Sequence, residues 1–471
     1  MVTRRDLLKV GTAVAVTASL GASQTRARAQ GVTTLRTRKD VKTLTDDSPD
    51  IKALRAAITK MKNASLPAND GRRWEAQAHI HGNAQQFTHC QHANYFFFPW
   101  HRAYLHYFED IVRNLSGYDQ FALPYWDWTH NGQLPSQFWG AGNPLFDPNR
   151  RPGLTSSSTI SPDDVDTFVG QTVISELLGI DDFETFAGAA VTHPGDHAGE
   201  GQLEGGPHNF VHRWVFGDMV TGQSPLDPIF WLHHCNIDRL WSEWALRHPS
   251  RAPIDPSWHN QPFQDFVDGS GEPVTVAVSE VLDTAALGYQ YDTRRIPIKV
   301  TSALTKQKIL TWSGTEAFVR QTALIGNMVV ATSPVQREAI STSMLQSARG
   351  KPSTIRLRIR DVPIIGSGDY AVQVFVNCKK LSAETLVSDP SYVASFTFFG
   401  AHEHLSEPQR ISVLLNVTPV FARLYGDRKF GADEPLVVGL RLRPLFPGGP
   451  TAIPVTITQI TPAQVSVDVI T

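Results

Sequence analysis

Phe87-Thr-His-Cys-Gln-His-Ala-Asn-Tyr-Phe-Phe-Phe-Pro-Trp-His-Arg102 is the first of two runs that decide how this chain is read. The second is Pro207-His-Asn-Phe-Val-His-Arg-Trp214, followed by Asp227-Pro-Ile-Phe-Trp-Leu-His-His-Cys-Asn-Ile-Asp-Arg239. Of 17 histidines, 13 fall between His79 and Asp238. His208 and His212 are spaced i, i+4, so on a helix both imidazoles face one side. His234 opens a further helix, and Asp238, one turn on, returns to its face, where it can orient a neighbour from behind. The earlier run offers His81, His92 and His101.

Either trio alone is a weak signal, because an H-x3-H pair on an apolar helix is more often packing. Two trios inside aromatic segments are a different matter. Six imidazoles buried among aromatic rings keep unsatisfied nitrogens unless a metal takes them. An all-imidazole donor set suits Zn, Cu, Fe or Ni. Hydrolytic di-zinc or di-iron pairs use bridging carboxylates, and these are scarce near the histidines. The pattern therefore favours two copper ions, each held by three neutral imidazoles, a pair able to bind O2 and pass it to an electron-rich substrate. The competing di-zinc hydrolase would stay colourless with O2.

Outward from these runs, Tyr104, Leu105 and Phe108 follow His101 at helical spacing, with Pro99 near the first turn. Asp50 to Met61 reads as an amphipathic helix, Trp74 to Ala84 as helical or irregular, Thr167 to Leu178 as a short helix, and Ile229 to Leu246 as an apolar helix. Residues 130–165 read as loop. Beyond about residue 295 the pattern changes to period two. Strands are expected at Ile355–Arg360, Tyr370–Val376, Ser395–Phe398, Ile411–Leu415, Leu436–Leu442 and Val455–Thr458, which suggests a β-sandwich.

Composition sets outer bounds. A net charge of −2 on 471 residues argues against a broad nucleic-acid footprint. Three cysteines, Cys90, Cys235 and Cys378, make no disulfide framework. At the N-terminus, Arg4-Arg5 precede an apolar run, Val10 to Leu20, and an Ala27-Arg-Ala29 cleavage pattern. This reads as a twin-arginine (Tat) signal peptide, with an apolar run too short to span a membrane. The expectation is a protein exported by the Tat machinery to the periplasm or secreted, with no membrane segment in its mature form.

His92 to Glu109, Leu123 to Trp128 and Glu204 to Trp241 resemble the two copper regions of the type-3 copper family, the tyrosinases and polyphenol oxidases. The resemblance implies His81, His92 and His101 as ligands of one copper and His208, His212 and His234 as ligands of the other. His79 and His89 compete with His81, which is chosen because Ile80-His-Gly82 resembles the family's pattern. His233 then falls behind the ligands or against substrate. Cys90 before His92 resembles the members that carry a thioether bond from cysteine to histidine. Glu204 and Asn209 resemble the family's water-holding pair, which would accept the proton of a monophenol, with Glu200 near enough to substitute. Thr221 stands where some relatives carry a bulky gate, which implies an open entrance. Arg213 would orient substrate and Phe230 would stack beneath the site. Tyr289-Gln-Tyr291 resembles a closing tyrosine motif that Arg36 or Arg38 would pair with.

The implied organisation is a signal peptide (1–29), a mainly α catalytic domain in which a helical bundle holds the dicopper site (30–295), a linker (296–350), and an all-β sandwich (351–471) that shields the site. Phe396, Phe398 or Phe399 would plug it until a processing protease acts. The implied activity is O2-dependent hydroxylation of small monophenols and oxidation of o-diphenols to o-quinones. The rivals are a catechol oxidase and a haemocyanin-like O2-binding protein.

Overall fold

A computed structural model describes residues 35–83, 87, 89–293, 309–314, 319–330, 333–351, 353–365, 368–400, 409–426, 430–431, 434–446 and 456–470. The twin-arginine segment lies outside the described residues.

The first part of the chain is helical. A short strand β1 (Arg36–Arg38) leads to α1 (Pro49–Lys62), α2 (Trp74–His81) and the long α3 (Phe97–Ser116). Proline in the first turn suits α1, since that N–H has no intrahelical partner anyway. Gly117 ends α3 in the left-handed region (φ 74°), and its N–H returns to the Arg113 carbonyl at 2.9 Å. The stretch read as one helix, Thr167 to Leu178, is a widened turn (Val165–Val169) followed after Gly170 by α4 (Gln171–Leu178). Next come α5 (Asn209–Val215) and α6 (Ile229–Arg247), the latter begun by Asp227 Oδ1 accepting from Ile229 N at 3.0 Å. A hairpin, β2 (Pro262–Val267) with β3 (Pro273–Ala277), precedes β4 (Tyr289–Tyr291), which pairs in parallel with β1 and ties the two ends of the helical part together.

The second part is a two-sheet sandwich. Its elements are β5 (Ile309–Gly314), β6 (Val319–Arg320), β7 (Ile325–Val330), α7 (Pro334–Ala348), β8 (Thr354–Pro363), β9 (Tyr370–Val376), β10 (Tyr392–Phe396), β11 (Arg410–Asn416), α8 (Thr418–Tyr425), β12 (Leu436–Pro444) and β13 (Gln464–Ile470). One sheet runs β10-β9-β12-β7-β6 and the other β11-β8-β13-β5. Their inner faces bury Val, Ile, Leu and Phe side chains against one another.

Three expectations need correction. Residues 296–350 are not simply a linker, because β5 pairs with β13 and β7 with β12 inside the sheets. The sandwich is not all-β, because α7 and α8 belong to it. The strand expected at Val455–Thr458 gives way, in its described part, to a 3-10 turn over Ile457–Ile460.

The sandwich packs directly on the helices. Glu200 N donates to the Ser412 carbonyl at 2.7 Å and Leu414 N to the Glu200 carbonyl at 3.0 Å, so a loop of the helical part joins β11 as an added strand. Arg356 reaches Asp182 (3.2 Å) and Glu184 (3.3 Å), and Arg443 reaches Asp164 (2.8 Å). Around residue 35 onward the described chain forms one compact unit.

Candidate metal centre and its shield

The six histidines converge. His81 ends α2, His92 lies in the irregular segment before α3, and His101 sits in the second turn of α3. His208 and His212 straddle the start of α5, and His234 sits in the second turn of α6. All six are buried. The turn Glu204–His208 is wider than an α-turn because Pro207 inside it has no N–H to give. That widening brings Glu204 and His208 into the same interior.

Most of the rings are held by Nδ1, leaving Nε2 to face inward. His81 Nδ1 lies 2.8 Å from the Gly222 carbonyl, His92 Nδ1 3.0 Å from Glu204 Oε1, and His101 Nδ1 2.8 Å from the Phe97 carbonyl. His208 Nδ1 lies 2.8 Å from Asn209 Oδ1, and His212 Nδ1 meets the Met219 carbonyl. Each of these acceptors requires the proton on Nδ1, so each Nε2 presents a lone pair. The Nε2 atoms of His81 and His92 are 3.3 Å apart, two lone pairs facing each other. The Nε2 atoms of His101 and His208 have no hydrogen-bond partner at all. His212 and His234 approach at 3.2 Å through Nε2, and the His234 ring stacks on His101 with centroids 4.4 Å apart. Buried facing lone pairs repel, and only a cation between or beside them relieves that. The donor set therefore fits two copper ions, each with three imidazoles.

Burial also keeps the rings neutral, as metal ligation requires. It pushes His81 down to about 4 and His208 down to about 3, and it holds His92, His101, His212 and His234 well below the ordinary imidazole range with help from neighbouring rings.

The competing histidines separate by position. His79 is exposed, and His89, also exposed, lies 3.2 Å from Asp265. His233 is buried beside His208, but its Nδ1 accepts from Trp128 Nε1 at 3.2 Å. Its Nε2 therefore carries the proton, whereas His234 Nδ1 has no partner that fixes its tautomer. Cys90 lies within the His81–His92 cluster with its thiol pushed up by burial. The Phe230 ring lies against His234, tilted at 39° with centroids 4.2 Å apart. Phe97, which the sequence reading passed over, flanks His101 (4.7 Å) and His208 (4.9 Å).

Other expectations are revised. Asp238 supports no histidine; it binds Arg102 and Arg38 and accepts from the hydroxyls of Tyr289 and Tyr291. Of the two arginines suggested for the tyrosine motif, Arg38 pairs with it. Glu204 and Asn209 each engage a histidine, His92 and His208. Glu204 accepts from Ala93 N (2.9 Å) as well as engaging His92, helped by Ala93's left-handed backbone (φ 53°), while Asn209 Nδ2 donates to Glu200 Oε2 at 3.0 Å. Burial raises both carboxyls, Glu200 to about 8 and Glu204 well above its ordinary value. The Thr221 hydroxyl is turned to the Asp218 carbonyl, and its neighbour Gly222 holds His81. Arg213 faces the sandwich, 3.5 Å from Asp369 and donating to the Phe398 carbonyl at 3.0 Å.

Of the three phenylalanines considered as plug, Phe396 and Phe398 lie in the sandwich core. Phe399 lies over the histidines, with centroids 4.1 Å from His212, 5.1 Å from His92 and 5.4 Å from His208. Gly400 turns the chain beyond it at φ +71°, where a Cβ would stand 2.5 Å from Phe87 Cζ.

Residues 71–167 and 153–247 match the common central domain of tyrosinase, and 253–303 the polyphenol oxidase middle domain. In these stretches the chain is similar to the tyrosinases and polyphenol oxidases. It is 32% identical to a tyrosinase of Hahella sp. over 57% of this chain and 65% of the relative. It is 31% identical to a chloroplastic polyphenol oxidase of Spinacia oleracea over 54% of this chain and 46% of the relative. The chain thus spans between about half and two thirds of these curated relatives. In fold it matches latent aurone synthase (TM-score 0.63, 24% identity, 87% of this chain and 86% of that one). It also matches latent apple tyrosinase (TM-score 0.63, 21% identity, 93% and 96%). Among the described residues no helix is long and apolar enough to cross a membrane.

Proposed function

We propose that this chain is an exported dicopper phenol oxidase, carried by the Tat machinery, that converts monophenols and o-diphenols to o-quinones with O2 and is latent while Phe399 covers the site. The single observation that carries this reading is the placement of Phe399, a ring from the sandwich, against four of the six clustered imidazoles, His81, His92, His208 and His212. His81, His92 and His101 would hold one copper, and His208, His212 and His234 the other. Copper bound there supplies the redox capacity to activate O2 against a phenol ring.

The protein's own groups do the rest. Glu204 fixes the His92 ring and Asn209 fixes His208, so neither imidazole turns when substrate enters. Phe97 and Phe230 wall the pocket against water. A monophenol must also lose its hydroxyl proton. With Glu204 committed to His92, Glu200 and Asn209 are the pair left to take it, once the sandwich has moved and the Thr397 carbonyl has left Asn209 Nδ2. A thioether between Cys90 and His92 would lock that ring further. The commitment of Glu204 to His92 favours a second reading, catechol oxidase, in which no such base is needed.

Oxygen uptake by the copper-loaded chain, on a monophenol and its catechol, before and after limited proteolysis, tests the proposal. Oxidation of both, rising on cleavage, supports it. Oxidation of catechol alone leaves the catechol oxidase. Reversible O2 binding without turnover on either would overturn both in favour of a carrier.

A further inference from the structure

One segment, residues 217–222, fixes a ring of each histidine trio from behind. The Met219 carbonyl accepts from His212 Nδ1, and the Gly222 carbonyl accepts from His81 Nδ1 at 2.8 Å. The segment begins with two residues in the left-handed region, Phe216 (φ 66°) and Gly217 (φ 63°). It is pressed so close to a neighbouring loop that a Cβ on Gly217 would stand 1.9 Å from the Asn149 carbonyl oxygen. Asn149 also joins two carboxyls. Its N–H donates to Asp147 Oδ1 at 2.9 Å and its Nδ2 to Asp218 Oδ2 at 3.2 Å. The carboxyls of Asp147 and Asp218 themselves meet in a hydrogen bond. Carboxylates only accept, so that bond needs a proton between them. Among the described residues no N–H or alcohol donates to the buried Asp147 Oδ2. The charges around the pair are committed elsewhere. Asp227 takes Arg150 at 2.6 and 2.7 Å and the first turn of α6, and Lys62, at the end of α1, gives its Nζ to the Pro144 carbonyl at 2.8 Å, with Glu75 beyond it. Burial, with Asp227 adding to it, pushes the Asp147 carboxyl up to about 7, and burial raises Asp218 too.

We infer that Asp147 and Asp218 are positioning residues for both coppers: the proton they share clasps residues 217–222 to the loop at 147–149 and so keeps the His81 and His212 rings aimed at the metals. This rests on the two-copper reading above. When the proton leaves, two buried carboxylates repel, the segment loosens, and one ligand of each copper loses its support together. The direction follows from proton linkage. The folded chain holds a proton that the unfolded chain gives up, so the clasp is complete at acid pH and weakens as pH rises through about 7. The six ligand rings are already neutral in that range, so their own titration does not produce the effect. Glu200 and Glu204 also carry raised values, so the comparison that isolates the clasp is with a variant that leaves them in place.

The test uses the full chain and copper alone. Asp147→Asn keeps an acceptor for the Asn149 N–H and gives Asp218 an amide donor that no change of pH removes. In chelator competition at about pH 6, the parent chain and the variant should bind copper equally. At about pH 8.5 the parent should bind about tenfold more weakly than the variant, the low end of what disturbing the groups behind metal ligands costs. A merely structural role would shift the variant by the same factor at both pH values. If that is seen, or if parent and variant never differ, while two coppers still bind, the clasp is wrong and the two-copper reading stands. If the parent binds copper at neither pH, the two-copper reading fails and takes the inference with it. A metal-free measurement is amide exchange at Thr221, whose N–H donates to the Asp218 carbonyl at 3.0 Å, taken relative to an unstructured peptide at the same pH. Its protection should fall between the two pH values in the parent and hold in Asp147→Asn. Constant protection in the parent would overturn the inference.

Discussion

Two buried polar clusters share the helices α3 and α6, and they are completed in opposite ways. His101 and His234 belong to one, and Arg102 and Asp238, the next residue and the next turn, belong to the other. In the second cluster Arg38 pairs with Glu109 (2.9 Å) and Asp238 (3.0 Å), Arg102 pairs with Asp238, and Tyr289 donates to Asp238 at 2.7 Å. Two cations meet two anions, so the charges are paired within the chain, with Arg38 Nη2 left without a hydrogen-bond partner. In the first, six neutral rings face inward, five of them held through Nδ1, and the Nε2 atoms of His101 and His208 have no partner. The charge-paired cluster holds helices together, whereas the open one is a demand for something the chain does not contain. Burial alone does not separate the two; the pairing of opposite charges does.

The largest expected effect lies in the charge-paired cluster. Asp238→Ala leaves Arg38 and Arg102 with one carboxylate between them, and should cost roughly 3–5 kcal/mol in denaturant unfolding of the metal-free chain. His208→Ala in the same metal-free background should cost far less, because that Nε2 has no bond to lose. Equal losses would erase the contrast between the clusters. Next in size, copper should raise the melting temperature of the parent chain by mass action and leave that of His208→Ala much less changed. A smaller effect is expected behind the ligands: Glu204→Gln should weaken copper binding by about 10–100-fold in chelator competition. An unchanged affinity would mean that the Glu204–His92 contact does not orient the ring. The smallest signal is in mass. The metal-stripped protein, if Cys90 and His92 have joined after copper loading in air, should be two hydrogens lighter than its sequence, and the full mass would remove the thioether.

The open cluster was largely legible in the sequence because its signal is local. An i, i+4 histidine pair and a dense aromatic context need no tertiary knowledge. The helix period also placed His101 on the buried face. What was not legible depends on distant partners. Asp238 sits one turn from His234, as its spacing says, yet Arg38, 200 residues earlier in the chain, captures it. His81 could be told from His79 and His89 only once the end of α2 set which ring is buried. The plug could be narrowed to three phenylalanines but no further. Strand parity sends Phe396 and Phe398 to one face, and only the turn at Gly400 shows that Phe399 leaves it. The sandwich's outer parts were missed for a similar reason. β7 finds its partner about 105–115 residues later and β5 about 150–160 residues later, and the twofold alternation of Val465-Ser-Val-Asp-Val469 was the one local signal available for β13.

The central claim is that the Phe399 ring from the sandwich keeps phenols from the proposed dicopper site. Oxygen consumption with catechol, by copper-loaded intact chain and by its Phe399→Ala variant, tests this most directly. The expected result is little uptake by the intact chain and a rise of at least about tenfold in the variant, the scale of removing one well-packed contact of about 1.4 kcal/mol or more. Full activity in the intact chain, equal to that of the variant, would contradict it.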